Sequence, residues 1–190
     1  MENLTITESE VTLEPVEESA LVEAARNDPE AFAQLYQRYV IRIYRYLYHR
    51  VSAPADAEDL TAQTFTEALE GLVYYREQGN FSAWLFTIAR RKAIAYYRGQ
   101  RHDLPLEEAR DDREDQDNPL DTVEYQEMLF RMSQLLEALD EEQQEMLRLR
   151  FSAGLTHKEI GALVGRSEAA VKMAIQRLLW QLQSNWEVRS

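Results

Sequence analysis

The chain of 190 residues contains no cysteine, six glycines and five prolines. Without cysteine there is no disulfide framework, no thiolate metal site, no thiol nucleophile and no self-contained redox switch. So few turn-forming residues leave little material for an all-β fold, and the expectation is an all-α protein. No apolar run reaches the length of a membrane span. Where a secretory or transit signal would place basic residues and an apolar stretch, the N-terminus carries Glu2, Glu8, Glu10, Glu14, Glu17 and Glu18, which points to a cytoplasmic protein. The three histidines, His49, His102 and His157, are scattered, with no i, i+4 pairing. There is no HExxH, no Gly-rich phosphate loop and no G-x-S-x-G elbow, so no catalytic residue, metal ligand or cofactor site is nominated.

What is present is enough apolar material for a core, 45% hydrophobic and 10% aromatic, under a net charge of -13. That charge is unevenly placed. Residues 1–20 hold six acids and no base, and residues 101–124 hold ten acids against three bases. The blocks 21–100 and 125–190 are close to neutral. The sequence therefore divides into an acidic tail (1–20), a first domain (21–101), an acidic linker too polar to fold alone (102–124) and a second domain (125–186).

In the first block Asp28-Pro29-Glu30 has the form of an N-cap, a first-turn proline and an acid that suits the helix dipole. Phe32, Leu35, Tyr36, Tyr39, Val40, Ile43 and Leu47 then repeat at helical spacing, with Arg38, Arg42 and Arg45 on the opposite, solvated side. A second helix is expected over 54–72, with a strongly acidic start at Asp56, Glu58 and Asp59. A third is expected over 81–99. At 100° per residue it places Phe81, Trp84, Leu85, Ile88, Ala95 and Tyr96 on one arc and Arg90, Arg91, Tyr97, Arg98 and Arg101 on the other. Lys92 falls on the apolar arc, where its stem snorkels. An aromatic ring within a basic face suits a phosphate backbone and an unstacked base. A merely solvated arginine face has the same composition.

The second block reads as four helices. Asp140 opens one and Gly154 closes it, and Thr156-His157-Lys158-Glu159 is a capping box for the next. Ile160, Leu163 and Val164 give that helix a buried stripe, and Gly165 supplies a tight turn. Ser167 caps a final helix whose Val171, Ala174, Ile175, Leu178, Leu179 and Leu182 face inward. Gly161 permits close crossing, which completes a helix-turn-helix pattern. The exposed front of its second helix would offer Arg166, Ser167, Glu168, Ala169, Lys172, Met173, Gln176 and Arg177 to base edges in a major groove. A structural αα-hairpin is the alternative.

DAEDLTAQTF (56–65), FSAWLFTIARRKAIAYYRGQR (81–101) and the run from Leu139 to Leu178 together resemble consecutive signatures of the extracytoplasmic-function sigma factors of bacterial RNA polymerase. The resemblance spans about residues 20–183. It implies that Asp56, Asp59 and Gln63, supported by Leu60 and Phe65, dock on the clamp helices of core polymerase. The loop from Tyr75 to Asn80, including Arg76 and Asn80, would receive a base flipped from the minus-ten element. Trp84, Arg90, Arg91, Tyr97, Arg98 and Arg101 would hold and open that element. The final helix would read the minus-thirty-five element, its domain would contact the polymerase flap, and an anti-sigma protein would be a further partner. The acidic linker would lie where RNA later runs, its carboxylates standing in for nucleic-acid charge, although solvated disorder explains the same composition.

This sequence departs from the family where extra arginines commonly follow the valine-lysine pair. Met173, Ala174, Leu179 and Trp180 stand there instead, which weakens phosphate anchoring. Trp180 should project outward from the local core. A stand-alone helix-turn-helix repressor leaves residues 56–65 and the third helix unexplained. A protein-binding adaptor would not need Arg91, Arg98 or Lys172.

Overall fold

The computed structural model describes residues 15–76, 80–103 and 123–188, and among these there is helix and no strand. The helices are α1 (Pro15–Ala24), α2 (Pro29–Val51), α3 (Pro54–Gly71), α4 (Phe81–Asp103), α5 (Val123–Glu137), α6 (Glu141–Leu147), α7 (His157–Val164) and α8 (Glu168–Val188). A wider π-turn, Arg148–Ser152, continues α6. Among the described residues no helix is long and apolar enough to cross a membrane.

α2 begins where the sequence places its cap. The Asp28 carboxylate accepts the Glu30 N–H at 2.9 Å and Pro29 occupies the first turn. The helix ends at Ser52, which takes the left-handed conformation (φ 59°). Between those points Ala31, Leu35, Tyr39, Ile43, Tyr46, Leu47 and Val51 form its buried spine. α3 and α4 pack on α2 and on each other. Two threonines of α3 enter this core without leaving a polar group unmet. The Thr61 and Thr64 hydroxyls each donate at 2.7 Å to the carbonyl four residues back. Edge-to-face rings, Tyr39 on Phe81 and Tyr46 on Phe86, fasten α2 to α4.

Three expectations change here. Residues 15–20, read as part of an acidic tail, form the first half of α1. Glu17 and Glu18 sit in its first turn, where the helix dipole favours acids. Val22 and Ala25 are buried, and the Tyr39 hydroxyl donates to Glu18. Residues 1–14 lie outside the described residues. In α4 the buried arc is wider than a single apolar stripe. Phe86, Ala89 and Ala93 are buried with Phe81, Leu85 and Ile88, while Ala95 is exposed. The reason is a further neighbour, since α7 packs against α4 in addition to α2 and α3. The linker read as 102–124 is overrun at its ends by α4 and α5, and residues 104–122 lie outside the described residues.

The second block is held by its caps. Asp140 and Gln143 form one capping box and Thr156 and Glu159 another, each side chain bonding the other residue's backbone N–H. Gly154 and Gly165 take positive φ (64° and 71°), ending the π-turn and α7 respectively. Leu149, Leu155, Ile160, Val171, Ile175 and Leu178 make the core. Leu179, expected to face inward, is exposed at the edge of a groove between α5, the π-turn and α8.

At Gly161 a Cβ would lie 2.6 Å from the Arg166 carbonyl oxygen and 3.4 Å from the Glu168 nitrogen. Both are backbone atoms and cannot swing away, so a methyl group there forces α7 and α8 apart. Gly161→Ala should destabilise the second block by about 1–3 kcal/mol, a typical overpacking cost. Urea denaturation of the wild type and variant measures it, and an unchanged midpoint would contradict the close crossing.

Candidate nucleic-acid interface

The exposed start of α3 presents two of the polar residues singled out there. Asp59 accepts from Gln63 Nε2 at 2.6 Å, so the pair is held in one orientation on the surface. Asp56 is half-buried and accepts the Tyr96 hydroxyl of α4 at 2.6 Å. Leu60 and Phe65 are buried beneath, with Phe65 edge-on to Tyr36 at 4.7 Å. They shape this surface without forming it.

At the α3–α4 connection Arg76 is exposed and Asn80 half-buried, and residues 77–79 lie outside the described residues. The segment's entry is pinned from a distance, because Arg26 donates to the Tyr75 carbonyl at 2.7 Å. Trp84 is half-buried against Tyr75, with ring centroids 4.8 Å apart, and against Phe81 at 5.6 Å. Gly71 makes room for it, since a Cβ there would stand 3.3 Å from the indole. Trp84 is thus a half-buried member of an aromatic cluster with Tyr75 and Phe81.

The basic face of α4 is divided. Arg91 pairs with Glu67 of α3, and the Lys92 ammonium lies 2.9 Å from the same carboxylate. Arg98 is exposed. Arg90 and Tyr97 turn the other way, Arg90 toward Glu145 of the second block (3.4 Å) and Tyr97 to donate to the Arg50 carbonyl. The Arg101 side chain lies outside the described residues. A helical wheel could not separate these groups, because it carries no information on where the second block sits.

On α8 the expected division holds except at Leu179. Val171, Ile175 and Leu178 are buried, while Glu168, Ala169, Lys172, Met173, Gln176 and Arg177 are exposed. The Ser167 hydroxyl accepts the Ala170 N–H at 3.2 Å. Arg166, in the turn, is exposed and pairs with Glu142 of α6. Trp180 is 70% exposed, as its place on the wheel required.

Sequence reasoning missed the junction between the blocks. Glu145 is only 4% exposed, yet it is charged and well supplied with donors. The Tyr46 hydroxyl donates to one carboxylate oxygen at 2.6 Å, and Arg50 reaches the other at 2.5 Å. Arg90 and Arg148 each lie 3.4 Å away. Arg42, expected on a solvated face, instead donates to the carbonyls of Ala153 (2.8 Å) and Gly154 (3.1 Å) across the junction. Burial pulls the Arg50 guanidinium down, but the Glu145 and Glu141 carboxylates and the Tyr46 oxygen outweigh it and hold it above its ordinary value. Burial first, and Glu145 second, push the Tyr46 phenol well above 10.0. Tyr39 is raised in the same way by burial and Glu18. One available signal was a glutamate set among Met146, Leu147 and Leu149, where the periodicity calls for an apolar residue.

Comparison with known proteins follows the same two-block division. The family model for sigma-70 region 2 matches residues 35–102, and that for sigma-70 region 4 matches residues 129–182. The ECF RNA polymerase sigma factor BldN of Streptomyces coelicolor is 36% identical over 156 residues, 80% of this chain and 59% of BldN. The ECF RNA polymerase sigma factor ShbA of Streptomyces griseus is 30% identical over 172 residues, 85% of this chain and 90% of ShbA. Among solved structures, CnrH in complex with the cytosolic domain of CnrY shares the fold. Its TM-score is 0.65 at 24% identity, covering 90% of this chain and 98% of that one.

The raised tyrosines give a pH dependence of definite sign. Unfolded, both phenols ionise near their ordinary value of 10.0, while folded they keep their protons beyond it. The unfolded state then binds fewer protons, so stability is unaffected below pH 10 and falls as pH rises above it. Thermal unfolding should show a midpoint that declines from about pH 10 upward. The decline should be shallower in a Tyr39→Phe, Tyr46→Phe double variant, and equal slopes would contradict the assignment.

Proposed function

We propose that this chain, which belongs to the extracytoplasmic-function sigma factors of bacterial RNA polymerase, joins core polymerase through α3 and reads two promoter elements with α4 and α8. The family acts in transcription initiation. The observation that carries the finer reading is the disposition of α8, where Val171, Ile175 and Leu178 lock the helix while Lys172, Met173, Gln176 and Arg177 face outward. That geometry suits a helix seated in a major groove.

No bond is made or broken by these residues, and the work they do is differential binding. The exposed, mutually oriented Asp59 and Gln63 present a fixed polar edge to the polymerase clamp helices. Melting the minus-ten element costs stacking energy, which a ring next to basic side chains offsets by receiving a displaced base. Trp84, packed on Tyr75 and Phe81, supplies a half-buried ring, and Arg91 and Arg98 supply charge along α4. Lys172 and Arg177 anchor the duplex element, with Met173 and Gln176 toward base edges. A free chain of charge -13 is repelled by DNA at long range, so polymerase has to deliver it. An anti-sigma partner is part of the same proposal, by analogy with CnrH, which was solved with a cytosolic domain bound.

Two variants separate the roles. Asp59→Ala with Gln63→Ala, both exposed, should weaken co-elution with core polymerase on size exclusion while leaving helicity unchanged. Lys172→Ala with Arg177→Ala should co-elute normally but weaken binding of the holoenzyme to promoter duplex across sequences, with a salt slope reduced by about two. If the wild-type chain, folded and free of inhibitor, does not associate with core, the proposal fails.

A further inference from the structure

The outward face of α8 is led by apolar side chains and not by charge. At 100° per residue, Ala169, Met173 and Trp180 lie within about 30° of the direction opposite the buried Val171, Ile175 and Leu178. Ala169 is exposed, and Met173 is 58% exposed. The charges of the first turns stand to one side, toward α7. His157, at the start of α7, has its pKa lowered by burial, then by Arg150 and Lys172, with Glu168 opposing, which puts Lys172 and Glu168 together on that flank. Arg166 is engaged at the turn by Glu142. The centre of the front of the helix is left to a methyl group and a thioether, and Gln176 follows on the next turn.

We infer, building on the sigma reading above, that the duplex element read by α8 is recognised through thymine methyl groups packed on Met173 and Ala169, with Gln176 bonded to an adenine. In the major groove thymine presents a methyl group where the other bases present none, and apolar side chains select it. A glutamine amide, one donor beside one acceptor, matches adenine N6 and N7. Guanine is selected by an arginine or lysine reaching O6 and N7. The ridge through Ala169 and Met173 carries neither residue.

The spacing fits base edges. Ala169 and Met173 are about 6 Å apart along the axis at 1.5 Å per residue, close to two base-pair steps of about 3.4 Å. Trp180 lies roughly 16 Å beyond Ala169, farther than the groove's width of about 12 Å, so it stands outside the reading stretch. The ridge also has a fixed direction, because α7 and α8 cross at Gly161 with backbone atoms where a side chain would be. Lys172 and Arg177 remain on the flanks as phosphate anchors, which add affinity without choosing sequence. An unbranched thioether adapts its shape to a methyl group more readily than a branched side chain does.

The full chain, bound to core polymerase, would first be used to enrich duplexes from a library with a randomised segment of 40 base pairs, with core polymerase alone as the reference. Thymines of the enriched upstream element are then replaced one at a time by deoxyuridine, which removes the methyl group and keeps the pairing. At least one replacement should weaken binding of the parent complex about fourfold, the effect of one buried carbon. Met173→Ser should bind the thymine and deoxyuridine duplexes equally at that position, and Met173→Leu should keep the difference. Circular dichroism checks that both variants are folded. Parent binding that no deoxyuridine changes would overturn the assignment, as would a Met173→Ser complex with the same fourfold loss. In either case an enriched element leaves the sigma reading standing. If nothing is enriched over core alone, the sigma reading fails and the assignment fails with it.

Discussion

A carboxylate taken out of water must be surrounded by donors, and Glu145 draws its donors from both halves of the molecule: Tyr46 and Arg50 on α2, Arg90 on α4, and Arg148 from its own turn. Such a cluster adds little net stability, since desolvation offsets the attraction, but removing one partner leaves charge stranded. The result is an interface that is specific in register. One apolar core runs through both blocks, from Leu35, Ile43 and Phe86 in the first to Leu149, Ile160 and Val171 in the second. Charge and hydrogen bonds from Glu145 and Arg42 fix the register of the two blocks at its edge.

This division of labour bears on function. The residues that would meet nucleic acid, Arg90, Arg91, Arg98, Lys172 and Arg177, sit on rigid helices whose opposite faces are buried, so they are presented at fixed spacing within each block.

Much of this was legible in the sequence. The Asp28 cap, the Thr156–Glu159 capping box, the turn at Gly165 and the inward Val171, Ile175 and Leu178 are local features, set by spacing within a few residues, and each occurs where periodicity put it. The exposed Asp59 and Gln63 and the outward front of α8 follow from the same rule. What escaped were contacts between segments distant in sequence. Arg42 and Arg90 look solvated on a wheel but face the second block, with partners 111 and 55 residues away. α1 was hidden by the acidity of its own first turn, and its dependence on the Tyr39 hydroxyl spans 21 residues. Periodicity reports which face is apolar; it does not report which polar face will find a partner.

The most direct test of the account is to map the 5′ ends of transcripts made in vitro on total genomic DNA by core polymerase alone and by core polymerase with this chain added. The account predicts a discrete set of start sites that appear only when the chain is present and that share two short upstream elements at constant spacing. The same start sites with and without the chain would contradict it.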